Sequence, residues 1–204
     1  MAKDELTAKS FTLLEGIKEN NNKDWYHDHK DDFESYVREP FAEILKAASD
    51  KLEGTKTPFI GHEKTMFRQH RDVRFSKDKS PYKTAVSGLM SPSGTKDESG
   101  GFIYVQVDAQ GRFMASGKYK LDAKALEPIR KKIIEKDKEF DAVLKDLEKA
   151  GLDFMEEETL KSMPRGFSDY DDHKHAEYLK LTSIVAKKDL PKQRWLDGDV
   201  KDEL

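Results

Sequence analysis

Six cationic side chains lie within sixteen residues in the first half of the chain: Arg68, Arg71, Arg74, Lys77, Lys79 and Lys83. Only two carboxylates, Asp72 and Asp78, lie among them, which leaves a local excess of four positive charges in a chain with a formal net charge of −3. Like charges at this density repel one another unless something offsets them. Because the arginine fork matches the oxygens of phosphate and carboxylate groups, this stretch predicts an anion site.

The predicted anion-binding residues are Arg68, Arg71, Asp72, Arg74, Lys79, Tyr82 and Lys83. In this interpretation Asp72 orients Arg71, and residues 77–81 form a polar loop over the site. The expected ligand is a phosphorylated small molecule or another anion. The alternative is a structural or interaction domain, in which Asp72 and Asp78 hold the arginines in an internal salt-bridge network.

Two residues of this stretch are candidate catalytic groups, Asp72 as a general base and Tyr82 as an acid or hydrogen-bond donor. A carboxylate beside arginines ionises more easily, which favours an orienting role for Asp72 over proton transfer. The chain has no Gly-rich phosphate loop and no Gly-x-Ser-x-Gly motif. The sequence therefore names no reaction, and no cofactor is expected.

The net negative charge of the chain limits which partners are expected. A nucleic-acid-binding module that uses the same basic stretch is the second functional hypothesis, but the remainder of the chain is acidic and would repel a long polyanion. No apolar run approaches the length of a membrane span, so no membrane partner is expected. Cysteine is absent and the first residues lack the apolar core of a signal peptide, which together predict a cytoplasmic protein. The oligomeric state stays open.

An acidic segment at residues 169–175 contains three aspartates and two histidines. It lacks the glycine and the terminal glutamate of a calcium-binding loop. We expect a solvated loop here and no bound metal.

The hydrophobic periodicity predicts an α+β fold. Helices are expected at residues 10–19 and at residues 24–52, the second with an interruption at Pro40. A third helix is expected to begin after a cap at Asp122, and a fourth near residues 137–150. Strands are expected at residues 67–75, 84–90, 102–108, 112–119 and 179–186. The prediction is a single domain over residues 1–204, with an antiparallel sheet of about four or five strands packed against a long N-terminal helix and later helices. From about residue 187 the chain is polar, which predicts a frayed or truncated tail.

Three segments resemble the bacterial family catalogued as domain of unknown function 2461. Residues 68–75 read Arg-x-x-Arg-Asp-x-Arg-Phe, and residues 78–82 read Asp-Lys-x-Pro-Tyr. Residues 21–25 and 160–167 are similar to the N-terminal and C-terminal segments of the same family, so the resemblance runs from about residue 10 to 186. It implies one cytoplasmic α+β domain and carries no established activity.

Overall fold

The computed structural model describes residues 5–96, 101–156 and 159–204. It confirms the α+β class: helices accompany a five-stranded antiparallel sheet in the order β1-β2-β3-β5-β4. The chain divides into two compact units, Met1–Met114 with Asp189–Leu204, and Ala115–Lys188. A single domain over residues 1–204 stays a prediction.

The elements have the following bounds. The helices are α1 (Ala8–Glu19), α2 (Lys23–Asp28), α3 (Lys30–Phe33), α4 (Glu39–Leu52), α5 (Ala123–Glu135), α6 (Asp137–Lys149), α7 (Ala176–Leu179), α8 (Lys192–Leu196) and α9 (Val200–Glu203). The strands are β1 (Ala85–Met90), β2 (Phe102–Asp108), β3 (Gly111–Lys118), β4 (Asp153–Phe154) and β5 (Ile184–Pro191). Among the described residues, no helix is long and apolar enough to cross a bilayer.

The long helix expected at residues 24–52 is interrupted by a π-helical turn, Glu34–Arg38, between α3 and α4. Pro40 follows it in the first turn of α4, and a proline has no N–H to donate to the preceding turn. The carbonyl of Tyr36 instead accepts a hydrogen bond of 2.5 Å from the hydroxyl of Ser10, a fully buried residue of α1. The helical pattern therefore changes at residues 34–38, just before Pro40, and α4 continues through Pro40 itself. The Tyr36 carbonyl has its partner on another helix.

The core of the first unit lies between the helices α1 and α4 and one face of β1 and β2. Its members are large apolar side chains at helical spacing and at every second strand residue, and they include Phe11, Leu14, Ile17, Phe41, Leu45, Val86, Met90, Val105 and Val107. Each fully buried side chain of this size contributes about 1.5–3 kcal/mol relative to exposure. This packing places α1 and α4 against one face of β1 and β2. Val37 of the π-helical turn is part of the same core.

The three strand predictions at residues 84–90, 102–108 and 112–119 are confirmed. β1 and β2 pair antiparallel, from Ala85 opposite Asp108 to Met90 opposite Ile103. Gly111 begins β3 with a φ of +106°, and a Cβ there would lie 2.3 Å from the carbonyl oxygen of Leu190. The last strand lies later than predicted, because residues 176–179 form α7 and β5 begins at Ile184.

The predicted strand at residues 67–75 is wrong. This segment is a loop with isolated bridges, between Met66 and Gly88 and between His70 and Tyr82. Asp72 accepts a hydrogen bond from the backbone N–H of Arg74, 3.2 Å away. Such local side-chain bonds to the backbone compete with strand pairing, and a period-two pattern does not reveal them.

The segment after residue 187 is not frayed: it ends β5 and forms α8 and α9. That the tail is truncated stays a prediction. Trp195 is 1% exposed, and its Nε1 donates to the carbonyl of Leu190 at 3.1 Å. Its ring centroid lies 6.4 Å from that of Phe41, within the core of the first unit. The tail has few apolar residues, but its largest ones are buried.

The second unit contains α5, α6 and α7. The side chain of Asp122 caps α5 by accepting a hydrogen bond of 2.7 Å from the N–H of Ala125, as predicted. Gly151, with a φ of +68°, follows α6 and provides the left-handed conformation that commonly ends a helix.

Candidate functional site

The predicted site residues lie in a loop that we call the basic loop, residues 68–83. Its two ends pair through their backbones: the N–H of Arg71 donates to the carbonyl of Pro81 at 2.9 Å, and the N–H of Lys83 donates to that of Gln69 at 2.8 Å. Asn21 binds both backbone groups of Tyr82, at 3.0 Å each. The residues that resemble the family's N-terminal segment thus anchor the base of the basic loop.

Tyr82 lies in this base as a packing residue. It is 6% exposed, and its ring stacks on that of Tyr26 with centroids 4.1 Å apart. The ring of His70 lies 4.9 Å from it. Tyr82 therefore packs in the base of the loop, and its predicted roles as an anion-binding residue and as a catalytic acid stay predictions.

The side chain of Arg71 binds three residues of the same basic loop. Its Nη1 contacts the carboxylate of Asp78 and lies 3.3 Å from the carbonyl of Ser80, and its Nη2 lies 3.4 Å from the hydroxyl of Ser76. The pKa of Asp78 falls to about 2 because the hydroxyl and backbone N–H of Ser80 bond its carboxylate and Arg71 adds a further bond. Asp78 is therefore ionised at neutral pH and pairs with Arg71.

Asp72 pairs with Arg74 and not with the predicted Arg71. The guanidinium of Arg74 holds both carboxylate oxygens, with Nε at 3.0 Å and Nη2 at 2.7 Å. This bond lowers the pKa of Asp72, so the carboxylate is a weaker proton acceptor than an isolated aspartate. Lys79 Nζ donates to the carbonyl of Val73 at 2.9 Å. Arg71, Asp72, Arg74 and Lys79 therefore satisfy one another and the loop backbone.

The two remaining predicted cations, Arg68 and Lys83, belong to a group that we call the Phe67 cluster. It consists of Phe67, Lys83 and Lys96 near its ring, Arg38 at its carbonyl, and Arg68, the next residue in the chain. Lys83 Nζ lies 5.0 Å and Lys96 Nζ 5.8 Å from the centroid of the Phe67 ring. Nη1 of Arg38 donates to the Phe67 carbonyl at 3.3 Å. Burial lowers the pKa of Lys83, and the charges of Arg68, Lys96 and Arg38 lower it further.

The Phe67 cluster has little compensating negative charge. Within the described residues, the one carboxylate paired with a member is Glu34, whose Oε2 lies 3.2 Å from Nε of Arg38. Arg38 comes from the π-helical turn and Lys96 from the connection after β1, so sequence reasoning on residues 68–83 missed both. No local spacing could have found them, because only the tertiary fold brings these segments to Phe67.

Aromatic rings continue from Phe67 along the sheet. The centroid of the Tyr104 ring lies 6.1 Å from that of Phe67 and 5.8 Å from that of Phe113. The Tyr104 hydroxyl donates to Gln106 Oε1 at 2.7 Å, and burial raises the pKa of this hydroxyl. The cationic cluster therefore borders an aromatic surface.

Phe75 lies apart from this aromatic surface. Its ring is 95% exposed, with the guanidinium of Arg74 5.9 Å from its centroid. The ring lies at the tip of the basic loop, and none of the described elements covers it.

The model of the family described as conserved hypothetical protein (DUF2461) matches residues 9–204. The chain belongs to this family. The match includes the basic loop, the π-helical turn and the segment after residue 186, which lay outside the resemblance seen in the sequence. None of the curated proteins and none of the solved structures compared matches the chain.

The acidic segment at residues 169–175 contains one buried histidine, His175. His175 is 4% exposed, and its Nε2 lies 3.0 Å from Asp141 Oδ1, close enough for an ion pair but without the geometry of a hydrogen bond. His173 Nδ1 accepts from the backbone N–H of His175 at 3.1 Å. In the part of the chain that the structure describes, no group of three or more acidic or histidine side chains is placed to hold a metal ion.

Proposed function

We propose that the protein binds a phosphorylated small molecule in the cytoplasm, and that the phosphate lies in the Phe67 cluster. The observation that carries this proposal is the placement of Lys83 and Lys96 beside the Phe67 ring, with Arg38 bonded to the Phe67 carbonyl and Arg68 close enough to lower the pKa of Lys83. Glu34 is the one carboxylate that forms an ion pair with a member of this group in the described chain. Burial lowers the pKa of Lys83, and the positive charges of Arg68, Lys96 and Arg38 lower it further, which supports a repulsion among these cations. A bound phosphate would remove this repulsion.

The predicted ligand residues then divide by role. Arg68 and Lys83, joined by Arg38 and Lys96, are the proposed phosphate ligands. Neither Arg68 nor Lys83 forms an ion pair within 4 Å in the described residues, although the charge of Arg68 also lowers the pKa of Asp72. The remaining predicted residues hold the basic loop in shape: Arg71, Asp72, Arg74, Lys79 and Tyr82. The half-buried ring of Phe67 would contact the apolar part of the ligand. The proposal is a binding function, and no reaction is assigned.

A specific observation favours a second candidate function, nucleic-acid binding by the tip of the basic loop. Phe75 is 95% exposed, Arg74 lies beside its ring, and Lys77 and Lys79 follow it on the exposed loop. Single-stranded nucleic acids bind where bases stack on exposed aromatic side chains and cations track the backbone. This function would use a different surface from the Phe67 cluster.

The test is the thermal stability of the full chain with inorganic phosphate, a nucleoside monophosphate or sodium chloride at equal ionic strength. We expect the phosphates to raise the melting temperature and Lys83→Met to abolish the rise. The matched control is Lys77→Met, which removes an exposed cation of the same loop and should leave the rise unchanged. An equal loss of the rise in both variants would show a general charge effect and contradict the proposal.

A parallel measurement of single-stranded DNA and duplex binding decides between the two functions. Our proposal predicts weak or undetectable binding at physiological salt. Micromolar binding that falls by roughly three decades between 50 and 200 mM salt, as about six phosphate contacts require, would support the alternative. Phe75→Ala should then weaken that binding while Lys83→Met retains most of it.

A further inference from the structure

The second unit contains a groove of about 980 Å³ lined by α5, by residues 160–167 and by Tyr170. Its floor is apolar, with Leu126 at 3% and Phe167 at 6% exposure, and Ile134 and Leu160 extend this surface. One charged side chain lies within the apolar surface: Arg130 of α5, which is 5% exposed. A buried guanidinium in such a place calls for a physical explanation.

Backbone carbonyls hold one edge of the Arg130 guanidinium. Its Nε donates to the carbonyl of Leu179 at 2.7 Å, and its Nη2 donates to that of Leu181 at 3.1 Å. The two acceptors belong to residues two apart in the chain, so they fix the plane of the guanidinium. An arginine has five N–H donors. The remaining three, one on Nη2 and two on Nη1, have no acceptor in the part of the chain that the structure describes.

These free donors face the groove. In the described residues, the one side-chain atom that is sealed from solvent without a hydrogen-bond partner is His175 Nε2, so Arg130 Nη1 keeps contact with solvent. Arg130 lines the groove, which supplies that contact. The edge opposite the two carbonyls presents parallel N–H groups from Nη1 and Nη2, the arrangement that binds both oxygens of a carboxylate.

Among the described residues, no carboxylate forms an ion pair with the Arg130 guanidinium. Burial lowers the pKa of its guanidinium, and no ion pair forms with either glutamate of the groove. Glu127 is engaged by Lys131 at 2.7 Å. A buried arginine without a carboxylate is costly to the free protein, and a bound monoanion would offset that cost.

We propose that this groove binds a small organic acid, in which a carboxylate meets the free edge of Arg130 and an apolar chain or ring lies on Leu126 and Phe167. A carboxylate matches the single buried positive charge, whereas a phosphate dianion would bring a second negative charge onto an apolar floor. The Arg130 guanidinium also lies 6.0 Å from the centroid of the Phe167 ring, so a ligand whose carboxylate binds Arg130 has its apolar part beside this ring. This site is separate from the Phe67 cluster and does not depend on the function proposed for it.

The experiment is a ¹H–¹⁵N NMR titration of the full chain with hexanoate, with 1-hexanol and sodium sulfate as probes that lack the carboxylate or the apolar chain. Hexanoate should shift the amides of residues 121–135 and 160–182 and bind at least about tenfold more tightly than either control probe, the value expected for charge-assisted hydrogen bonds. Equal affinity for 1-hexanol or for sulfate would overturn the proposal. So would an absence of binding, or shifts centred on Phe67.

Two variants test the role of the groove. Arg130→Lys keeps the charge but loses the planar fork, and hexanoate affinity should fall by about tenfold or more. Because this change also disturbs two backbone carbonyls, Leu160→Glu provides a second test at a residue that is 38% exposed. Its added carboxylate should abolish hexanoate binding, whereas Val143→Glu, a matched change on the exposed face of α6, should not. Wild-type affinity in folded Leu160→Glu would contradict the assignment.

Discussion

Trp195→Ala tests whether the segment after residue 187 belongs to the core. The side chain is 1% exposed, and truncation of a buried tryptophan to alanine typically costs about 3–5 kcal/mol. The lost hydrogen bond to the carbonyl of Leu190 adds about 1 kcal/mol. The total of roughly 4–6 kcal/mol corresponds to a fall in melting temperature of about 8–24 °C, at about 2–4 °C per kcal/mol for a chain of this size.

The assay is urea unfolding followed by circular dichroism, with Leu196→Ala as the matched control. Leu196 is the next residue of α8 but is 36% exposed, so its truncation should cost less than about 1 kcal/mol. Trp195→Phe should lie between the two, because it keeps most of the ring contact and loses the hydrogen bond. If Trp195→Ala and Leu196→Ala unfold at the same urea concentration, the tail does not contribute to the core and the argument fails.

Three further predictions concern the interrupted helix and the basic loop. Ser10→Ala should lower the free energy of unfolding by about 1–3 kcal/mol in urea titrations, because it removes the bond to the carbonyl of Tyr36 and the bond from the N–H of Thr7 that caps α1; wild-type stability would show that neither bond contributes. Asp72→Ala should not measurably change the melting temperature, because its pair with Arg74 is exposed to solvent; a large fall would mean that Asp72 holds a buried arginine after all. The pKa of Asp78 falls from 3.8 to about 2 on folding, so its stabilising contribution is present above about pH 4 and is lost as the pH falls towards 2. Acid unfolding of Asp78→Asn should lack this component, and an unchanged acid profile would contradict the pairing.

The sequence by itself determined most of the local structure. Alternating apolar residues at 84–90, 102–108 and 112–119 are strands in the structure, and the glycine at residue 111 allows the turn between β2 and β3. The change of helical pattern just before Pro40 follows from the missing N–H of this proline. These features depend on neighbours within a few residues, and the motifs at residues 21–25, 68–82 and 160–167 carried the resemblance to the family that the match over residues 9–204 confirms.

The composition of the candidate site was decided by tertiary structure. The sequence presented one group of cations at residues 68–83, but local pairs with Asp72 and Asp78 occupy Arg74 and Arg71. Arg68 and Lys83 meet other cations that come from outside the basic loop. A count of charges along the chain does not separate these two groups, because it contains no information on which segments the fold brings together.

The same reason explains why sequence reasoning missed Arg130. On a helix it resembles any solvated arginine, since the carbonyls that hold it belong to Leu179 and Leu181, 49 and 51 residues away. Trp195 was likewise invisible as a core residue until Phe41 and Leu190 were seen around it. Periodicity reports which face of an element is apolar, whereas burial, charge compensation and free hydrogen-bond donors depend on the elements that pack against it.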